Sequence, residues 1–145
     1  MSCLALHPAV IQPLQNAPAR TFPLMAHCVH AGFPSPAGDY VERRIDLNRE
    51  LIQHPEATFF LRAQGRSMVD AGIHDGDVVI VEKGANAGVG DMVVAIVDNE
   101  FTLKHLDREK TAWILRPANP AYPVIRPQGQ LELFGVVVGM YRKYR

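Results

Sequence analysis

The sequence predicts a mainly β protein, with one compact β-rich domain over residues 39–145 and an extended arm over residues 1–38. Beyond residue 39, short apolar runs alternate with turn residues, and no long amphipathic helix pattern occurs. Residues 1–38 hold six of the eleven prolines and one charged side chain, Arg20. Proline fixes φ and removes a backbone donor, so this stretch is expected to lie extended along its own domain or a partner. A disordered proline-rich leader is the alternative.

Short strands separated by turns are expected throughout the domain. The predicted strands are Thr58–Ala63, Asp77–Glu82, Met92–Val97, Glu100–Leu106, Ala112–Arg116 and Leu131–Met140. Asp98-Asn99 predicts a two-residue hairpin turn, because Asp and Asn tolerate positive φ. Gly135 and Gly139 predict a bend or bulge in the last strand.

One short helix is expected before the strands. Asp46 is a suitable N-cap for residues 46–52, and the spacing of Leu47 and Leu51 predicts that both face inward. Pro55 bars continuation of the helix.

Charge and composition exclude several classes of function. Lys+Arg and Asp+Glu are both 15, and a zero net charge argues against a dedicated nucleic-acid-binding protein. The longest purely apolar run, Met92–Val97, has six residues, far fewer than the ~20 of a membrane-spanning helix. Two cysteines cannot form a disulfide framework, and the N-terminus lacks the basic region of a signal peptide. A reduced, cytoplasmic setting without membrane contact is therefore expected.

A candidate nucleophile lies in Gly65-Arg66-Ser67-Met68, directly after the first predicted strand of the domain. A serine on a glycine-containing turn can present its hydroxyl from constrained backbone, with nearby amides free to hold an oxyanion. The alternative is a turn serine that caps residues 68–71.

A candidate general base is Lys104, which interrupts an apolar strand. Period-2 alternation places Thr102, Lys104 and Leu106 on one face. A partly buried lysine loses its proton more easily, and serine–lysine pairs are a known variant of nucleophile and base. The alternative is an edge-strand lysine that blocks aggregation.

A candidate cleavage site lies in the arm, in Ala31-Gly32-Phe33-Pro34-Ser35-Pro36. A small residue followed by glycine in extended backbone passes easily through a protease cleft, although a simple linker has the same composition. His27, Cys28 and His30 give no closed ligand set, so no metal and no cofactor are expected.

These three signals occur together in an order that resembles the LexA/UmuD family of self-cleaving serine peptidases. The resemblance extends from about Thr21 to Met140. Besides the segments above, it is carried by Phe22-Pro23-Leu24, Asp39-Tyr40-Val41-Glu42, Arg44-Ile45-Asp46-Leu47-Asn48, Leu51-Ile52-Gln53-His54-Pro55, Asp75-Gly76-Asp77, Gly90-Asp91 and Glu100-Phe101-Thr102-Leu103-Lys104. It implies a LexA/UmuD-like β-rich catalytic domain.

The resemblance also implies a role for each matched position. Ser67 is the nucleophile, Lys104 is its general base, and the backbone N–H groups of Arg66 and Ser67 form the oxyanion hole. Ala31–Gly32 is the scissile bond. The related accessory proteins often carry Cys where this chain has Ala31, and an acidic residue where it has Arg66.

Two classes of function follow from the resemblance. In the first, the chain removes its own arm during the SOS response, stimulated by a RecA–single-stranded-DNA filament. The processed homodimer then acts as accessory subunit of a Y-family (UmuC-like) translesion polymerase. In the second, the chain is a non-catalytic adaptor or regulator with a dormant dyad. The residues before Gly32 are too rich in proline for a helix-turn-helix domain, so no sequence-specific DNA binding is expected.

Overall fold

The computed structural model describes residues 10–11, 13, 16–26, 28–33, 40–129 and 131–145, with Val10 and Ile11 described by their backbone. The chain forms two compact units. The sheet unit comprises Met1–Pro13 and Glu56–Arg145, and the hairpin unit comprises Leu14–Pro55. The predicted boundary at residue 38 and the Pro34-Ser35-Pro36 segment lie outside the described residues.

The architecture is mainly β, as predicted. The strands are β1 Val10–Ile11, β2 Phe22–Met25, β3 Val41–Ile45, β4 Thr58–Arg62, β5 Val78–Lys83, β6 Met92–Val97, β7 Glu100–Glu109, β8 Ala112–Arg116 and β9 Glu132–Tyr141. The helix α1 spans Leu47–Leu51, and short 3-10 turns span Pro55–Ala57 and Val69–Ala71. Within the described residues the sheet unit holds one seven-stranded antiparallel sheet in the order β1-β4-β5-β9-β6-β7-β8.

The predicted strands all form. β6 and β8 have the predicted bounds, and β4 ends one residue earlier. β5 and β9 are shifted by one residue at both ends, and β7 continues three residues further to Glu109. Asp98 and Asn99 adopt φ values of 51° and 65°, which confirms the predicted turn between β6 and β7. Local pairing of β6 with β7 follows directly from this turn.

Two hydrophobic clusters cover the two faces of the central strand β6. Val94 belongs to one cluster, with Leu61, Met68, Ile73, Val79, Val81 and Phe134. Val93 and Ala95 belong to the other, with Leu106 and Leu115. Successive side chains of a strand point to opposite faces, so a strand buried on both faces needs an uninterrupted apolar sequence. This explains the six-residue apolar run of β6.

Strand β9 is bulged, as its glycines predict. Its register shifts against β5 between Ile80 and Val81, and against β6 between Val94 and Ala95. At Gly135 the neighbouring backbone comes so close that a Cβ would lie 2.6 Å from the carbonyl oxygen of Glu82. Glycine is therefore required here for close approach of two strands.

The hairpin unit contains β2 paired antiparallel with β3, followed by α1. Asp46 is the N-cap of α1, and its side chain accepts a 3.0 Å hydrogen bond from the Asn48 N–H, as predicted. The predicted inward orientation of Leu47 and Leu51 is wrong, because these side chains are 55% and 38% exposed. A five-residue helix beside a two-stranded sheet has no second layer within its own unit against which to bury them.

No helix in the described part of the chain combines the length and apolar character needed to cross a membrane.

We expect Gly135→Ala to lower the free energy of unfolding by roughly 1–3 kcal/mol, because the added methyl group overlaps the Glu82 carbonyl. Gly139→Ala is the matched control on the same strand. Its Cβ would meet Ile80 Cδ1 at 3.6 Å, an ordinary contact, so its effect should stay within about 0.5 kcal/mol. Urea unfolding of both variants measures the difference, and equal destabilisation would contradict the explanation for Gly135.

Candidate active site

The fold brings Ser67 and Lys104 into direct contact. The Lys104 Nζ lies 3.0 Å from the Ser67 Oγ, although 37 positions separate the two residues. Ser67 occupies the turn that follows β4, and Lys104 lies in the middle of β7. The two residues that the sequence identified separately therefore form one polar pair.

Lys104 is 8% exposed, and its amine has three acceptors. In the ammonium form it donates to Ser67 Oγ at 3.0 Å, to Thr102 Oγ1 at 3.0 Å and to the Leu103 carbonyl at 3.1 Å. Burial removes water from the charged form and lowers the pKa of Lys104. Within the described residues no Asp or Glu forms an ion pair with this amine to offset that effect.

Loss of one proton turns this arrangement into a base. An ammonium group has three N–H donors, which matches the three acceptors around Nζ. In the neutral amine, two N–H groups can stay on Thr102 and Leu103 while the lone pair accepts the hydroxyl proton of Ser67. The geometry thus allows Nζ to take the Ser67 proton without moving.

The sheet topology explains why Lys104 is buried and still reaches Ser67. β7 lies between β6 and β8, so Lys104 does not lie on an outermost strand, and the structure does not support the edge-strand alternative. β8 pairs with β7 only from His105 onward. Beyond Arg116 the chain leaves the sheet, and the Ala118 N–H donates to the Ser67 carbonyl at 2.8 Å. The end of β8 therefore brings the serine turn beside Lys104.

The serine turn is held by three anchors from distant segments. Gly65 adopts a φ of 90°, and its N–H donates to Asp75 Oδ1 at 2.7 Å. The Asn119 side-chain amide donates to the Arg66 carbonyl at 2.9 Å, in addition to the Ala118 bond to Ser67. Sequence analysis assigned no role to Asp75 and Asn119. The Asp75-Gly76 and Asn119-Pro120 turn signals could have drawn attention to them.

The backbone amides of Arg66 and Ser67 are available as oxyanion donors. Across the ranges that the structure describes, neither N–H donates a hydrogen bond, whereas the carbonyls of both residues are occupied. The alternative of a capping serine is not supported: Met68 is the N-cap of the following 3-10 turn, which has no side-chain cap.

A cleft of about 430 Å³ adjoins the pair, entirely within the sheet unit. Its lining combines apolar residues with polar ones, and the charged residues among them are Arg62, Glu100 and Lys104. It is lined by Leu61, Arg62, Ala63, Gln64, Gly65, Ser67, Met68, Ile73, Val79, Val94, Asn99, Glu100, Phe101, Thr102, Leu103 and Lys104. A cleft of this size accommodates a short stretch of peptide.

Ala31 and Gly32 lie in the hairpin unit, where both are exposed in a bend. Exposure and irregular backbone are what a cleavable segment requires. Their role as the scissile bond stays a prediction. In the described part of the chain, no three His, Cys, Asp or Glu residues lie close enough together to hold a metal ion.

The sequence matches the family described as Peptidase S24-like over residues 23–138. It is 44% identical to Protein SamA of Salmonella typhimurium over 136 residues, which are 94% of this chain and 96% of SamA. It is 40% identical to Protein ImpA of Escherichia coli over 85% of each chain, and 41% identical to Protein MucA of Escherichia coli over 81% of this chain and 82% of MucA. These matches confirm the resemblance found in the sequence, and the chain belongs to the Peptidase S24-like family.

Proposed function

We propose that this protein is a self-cleaving serine peptidase that cuts its own arm between Ala31 and Gly32. The observation that carries the proposal is the buried Lys104 amine, 3.0 Å from the Ser67 hydroxyl and without a carboxylate partner in the described residues. A lysine that only stabilised a fold would gain from an ion pair, whereas a base gains from a lowered pKa. Membership of a peptidase family supports the same chemistry.

The first step is acylation of Ser67. Neutral Lys104 takes the hydroxyl proton as Ser67 Oγ attacks the carbonyl carbon of Ala31. The carbonyl oxygen becomes an oxyanion, which the free N–H groups of Arg66 and Ser67 stabilise. The Lys104 ammonium then gives its proton to the departing amine of Gly32. The peptide bond breaks and Ala31 remains as an ester on Ser67.

The second step is hydrolysis of this ester. Lys104 is neutral again and takes a proton from water, which attacks the ester carbonyl. Collapse of the second tetrahedral intermediate returns the proton to Ser67 Oγ and releases Ala31 as a carboxylic acid, which loses its remaining proton to solvent. The enzyme is regenerated, although one cut per arm is all that the role requires.

The proposed role of cleavage is to change which proteins this chain binds. We propose that a RecA–single-stranded-DNA filament stimulates cleavage during the SOS response in the cytoplasm, and that the processed homodimer serves a Y-family translesion polymerase. The family resemblance supports this assignment. The net charge of zero supports a protein partner and not a duplex DNA site.

We expect Ser67→Ala to abolish formation of the fragment that begins at Gly32, because a methyl group cannot attack a carbonyl. The fold should persist, because the Lys104 amine keeps Thr102 and the Leu103 carbonyl as acceptors and the cleft adjoins the site of the lost hydroxyl. Incubation of the purified protein at alkaline pH, a gel and N-terminal sequencing measure the result. A Gly32 fragment from the alanine variant would remove Ser67 from the role of nucleophile.

The cleavage rate should rise with pH. Lys104 is charged below its folded pKa and neutral above it, so lowering that pKa brings the neutral base into the range below the ordinary ~10.4. Initial rates between about pH 6 and about pH 10 test this. Lys104→Arg is the matched control, because it keeps a positive charge but cannot act as a base. A rate that falls with pH while the fold persists, or activity in the arginine variant, would contradict the assignment.

Thr102 should act as a positioning residue for Lys104. Thr102→Val removes one acceptor of the ammonium, so the midpoint of the pH–rate profile should shift to lower pH. The maximal rate should fall roughly ten- to a hundredfold as Nζ loses its fixed position. Thr102→Ser retains a hydroxyl and should preserve both the midpoint and most of the rate. A slower valine variant with an unshifted midpoint would indicate a structural role only.

Removal of the arm should bypass the need for Ser67. A chain that starts at Gly32 and carries Ser67→Ala keeps strands β3 to β9 and should support damage-induced mutagenesis beside the partner polymerase. The full-length Ser67→Ala chain should not. Cells lacking the native accessory protein provide the assay, with abundance checked by immunoblot. If the short Ser67→Ala chain fails where the short wild-type chain succeeds, Ser67 has another substrate.

A further inference from the structure

One of the two outermost strands of the sheet, β1, comes from the N-terminal part of the arm. β1 pairs antiparallel with β4, with Val10 opposite Leu61 and Ile11 opposite Phe60. The Peptidase S24-like match begins only at residue 23, so β1 lies outside the family segment. It also lies upstream of Ala31–Gly32. Without β1, β4 would be the edge strand of the sheet.

The hydrogen-bonding pattern between β4 and β5 identifies which backbone N–H and carbonyl groups of β4 pair with β1. The Ala63 N–H donates to the Asp77 carbonyl at 2.7 Å, on the β5 side. Backbone groups alternate in direction along an antiparallel strand, so Phe59 and Leu61 also bond toward β5 and Phe60 faces β1. Phe60 and Ile11 are therefore the pair that exchanges N–H and carbonyl hydrogen bonds. Val10, opposite Leu61, directs its N–H away from β4.

The opposite edge of the sheet is covered differently. There, β8 is paired with Ile125, which exchanges two 2.9 Å hydrogen bonds with Leu115. Both of these residues follow Gly32 in the chain, so cleavage of the arm leaves this cover in place. Of the two covers of this sheet, only that of β4 belongs to the segment that cleavage would separate, and this segment also carries β2 of the hairpin unit.

We propose that β1 is a removable cover, and that the edge of β4 is an acceptor site for an extended strand of another protein chain. Pairing of β1 with β4 is a property of the intact fold. The release of β1 rests on the proposed cleavage at Ala31–Gly32. The acceptor site would be closed before cleavage and open after it.

The covalent link between β1 and the rest of the chain explains why one cut changes whether β1 occupies the edge of β4. While the chain is intact, β1 is held near β4 at an effective concentration of about the millimolar range. A two-residue strand makes too few hydrogen bonds to remain bound without that tether. The severed segment also carries β2, whose pairing with β3 is a two-stranded sheet of the kind that is marginally stable in water. After cleavage both contacts become bimolecular, and at micromolar protein the fragment dissociates. The unpaired N–H and carbonyl of Phe60 then form a template for a new strand.

The residues around Phe60 define which strand sequences fit at the edge of β4. The ring of Phe60 is half-buried and packs edge-to-face on Tyr141, with ring centroids 6.4 Å apart, and Tyr141 is 44% exposed. A strand residue opposite Phe60 places its side chain next to this aromatic pair. The site therefore favours an antiparallel segment with a β-branched or aromatic residue at that position, and excludes proline there because the N–H is needed.

The first experiment tests the cover in the full-length chain held uncut by Ser67→Ala. Ile11→Pro removes the N–H that bonds to Phe60, whereas Val10→Pro removes an N–H that faces away and serves as the matched control. Amide hydrogen exchange measured by NMR should accelerate about tenfold or more at Phe60 in the Ile11→Pro variant. Phe59 and Leu61, which bond toward β5, should be unchanged in both variants. Unchanged exchange at Phe60, or equal acceleration by both prolines, would overturn the proposal.

The second experiment tests release independently of self-cleavage. A recognition sequence for an added site-specific protease is inserted between Ala31 and Gly32 in the Ser67→Ala chain, so a failure of the proposed autoproteolysis does not affect the outcome. After digestion the N-terminal fragment should separate on size-exclusion chromatography, and exchange at Phe60 should rise as in the Ile11→Pro variant. A fragment that co-elutes and keeps Phe60 protected would overturn the release step.

The same digested protein tests acceptance of a strand. A synthetic peptide of residues 7–16, added at about millimolar concentration, should restore protection of Phe60. The peptide with Val10→Pro should also restore it, and the peptide with Ile11→Pro should not. If none of the three peptides protects Phe60, or if all three do so equally, the edge of β4 is not a specific strand acceptor.

Discussion

The structure depends on one constraint at the Lys104 amine. This amine must be shielded from water and must still lie within hydrogen-bond distance of Ser67. Burial lowers the pKa of the amine but also isolates a polar group that needs hydrogen-bond partners. Thr102 and the Leu103 carbonyl supply two of these partners from the same strand, and Ser67 supplies the third. The buried amine therefore has its hydrogen-bond partners without a carboxylate among them. A carboxylate would have favoured the charged form of the amine.

The sheet meets this constraint through the unequal lengths of β7 and β8. β6 pairs with β7 up to His105, and β8 pairs with β7 from His105 onward, so the two neighbours overlap at His105. Before His105 the outer side of β7 faces the serine turn and the cleft. Asp75, Ala118 and Asn119 then fix the backbone of that turn while leaving the amides of Arg66 and Ser67 free. In the proposed mechanism, a preorganised turn of this kind lowers the cost of holding an oxyanion.

Local chemistry in the sequence was sufficient for strands β4 to β9 and for the choice of Ser67 and Lys104 as candidates, whereas their pairing was implied by the family resemblance. The Asp98-Asn99 turn and the apolar run of β6 are set by neighbours in the chain, so their strands were predicted closely. The burial of Leu47 and Leu51 was predicted wrongly, because periodicity indicates a common face but not whether another layer covers it. The contributions of Asp75 and Asn119 depend on long-range sheet order, which periodicity does not contain. The pairing of β1 with β4 depends on it too.

The two edges of the sheet show how one covalent bond can change a surface without refolding a core. Both hydrophobic clusters are built from residues that follow Gly32, so their packing does not depend on the arm. The cover of β8 is also downstream, and its two hydrogen bonds stay intramolecular after a cut. The cover of β4 is upstream and short, so its stability comes mainly from the tether. A cut between Ala31 and Gly32 would therefore uncover β4 and leave the cover of β8 in place, and a peptidase directed at its own arm would also regulate which strand its sheet accepts.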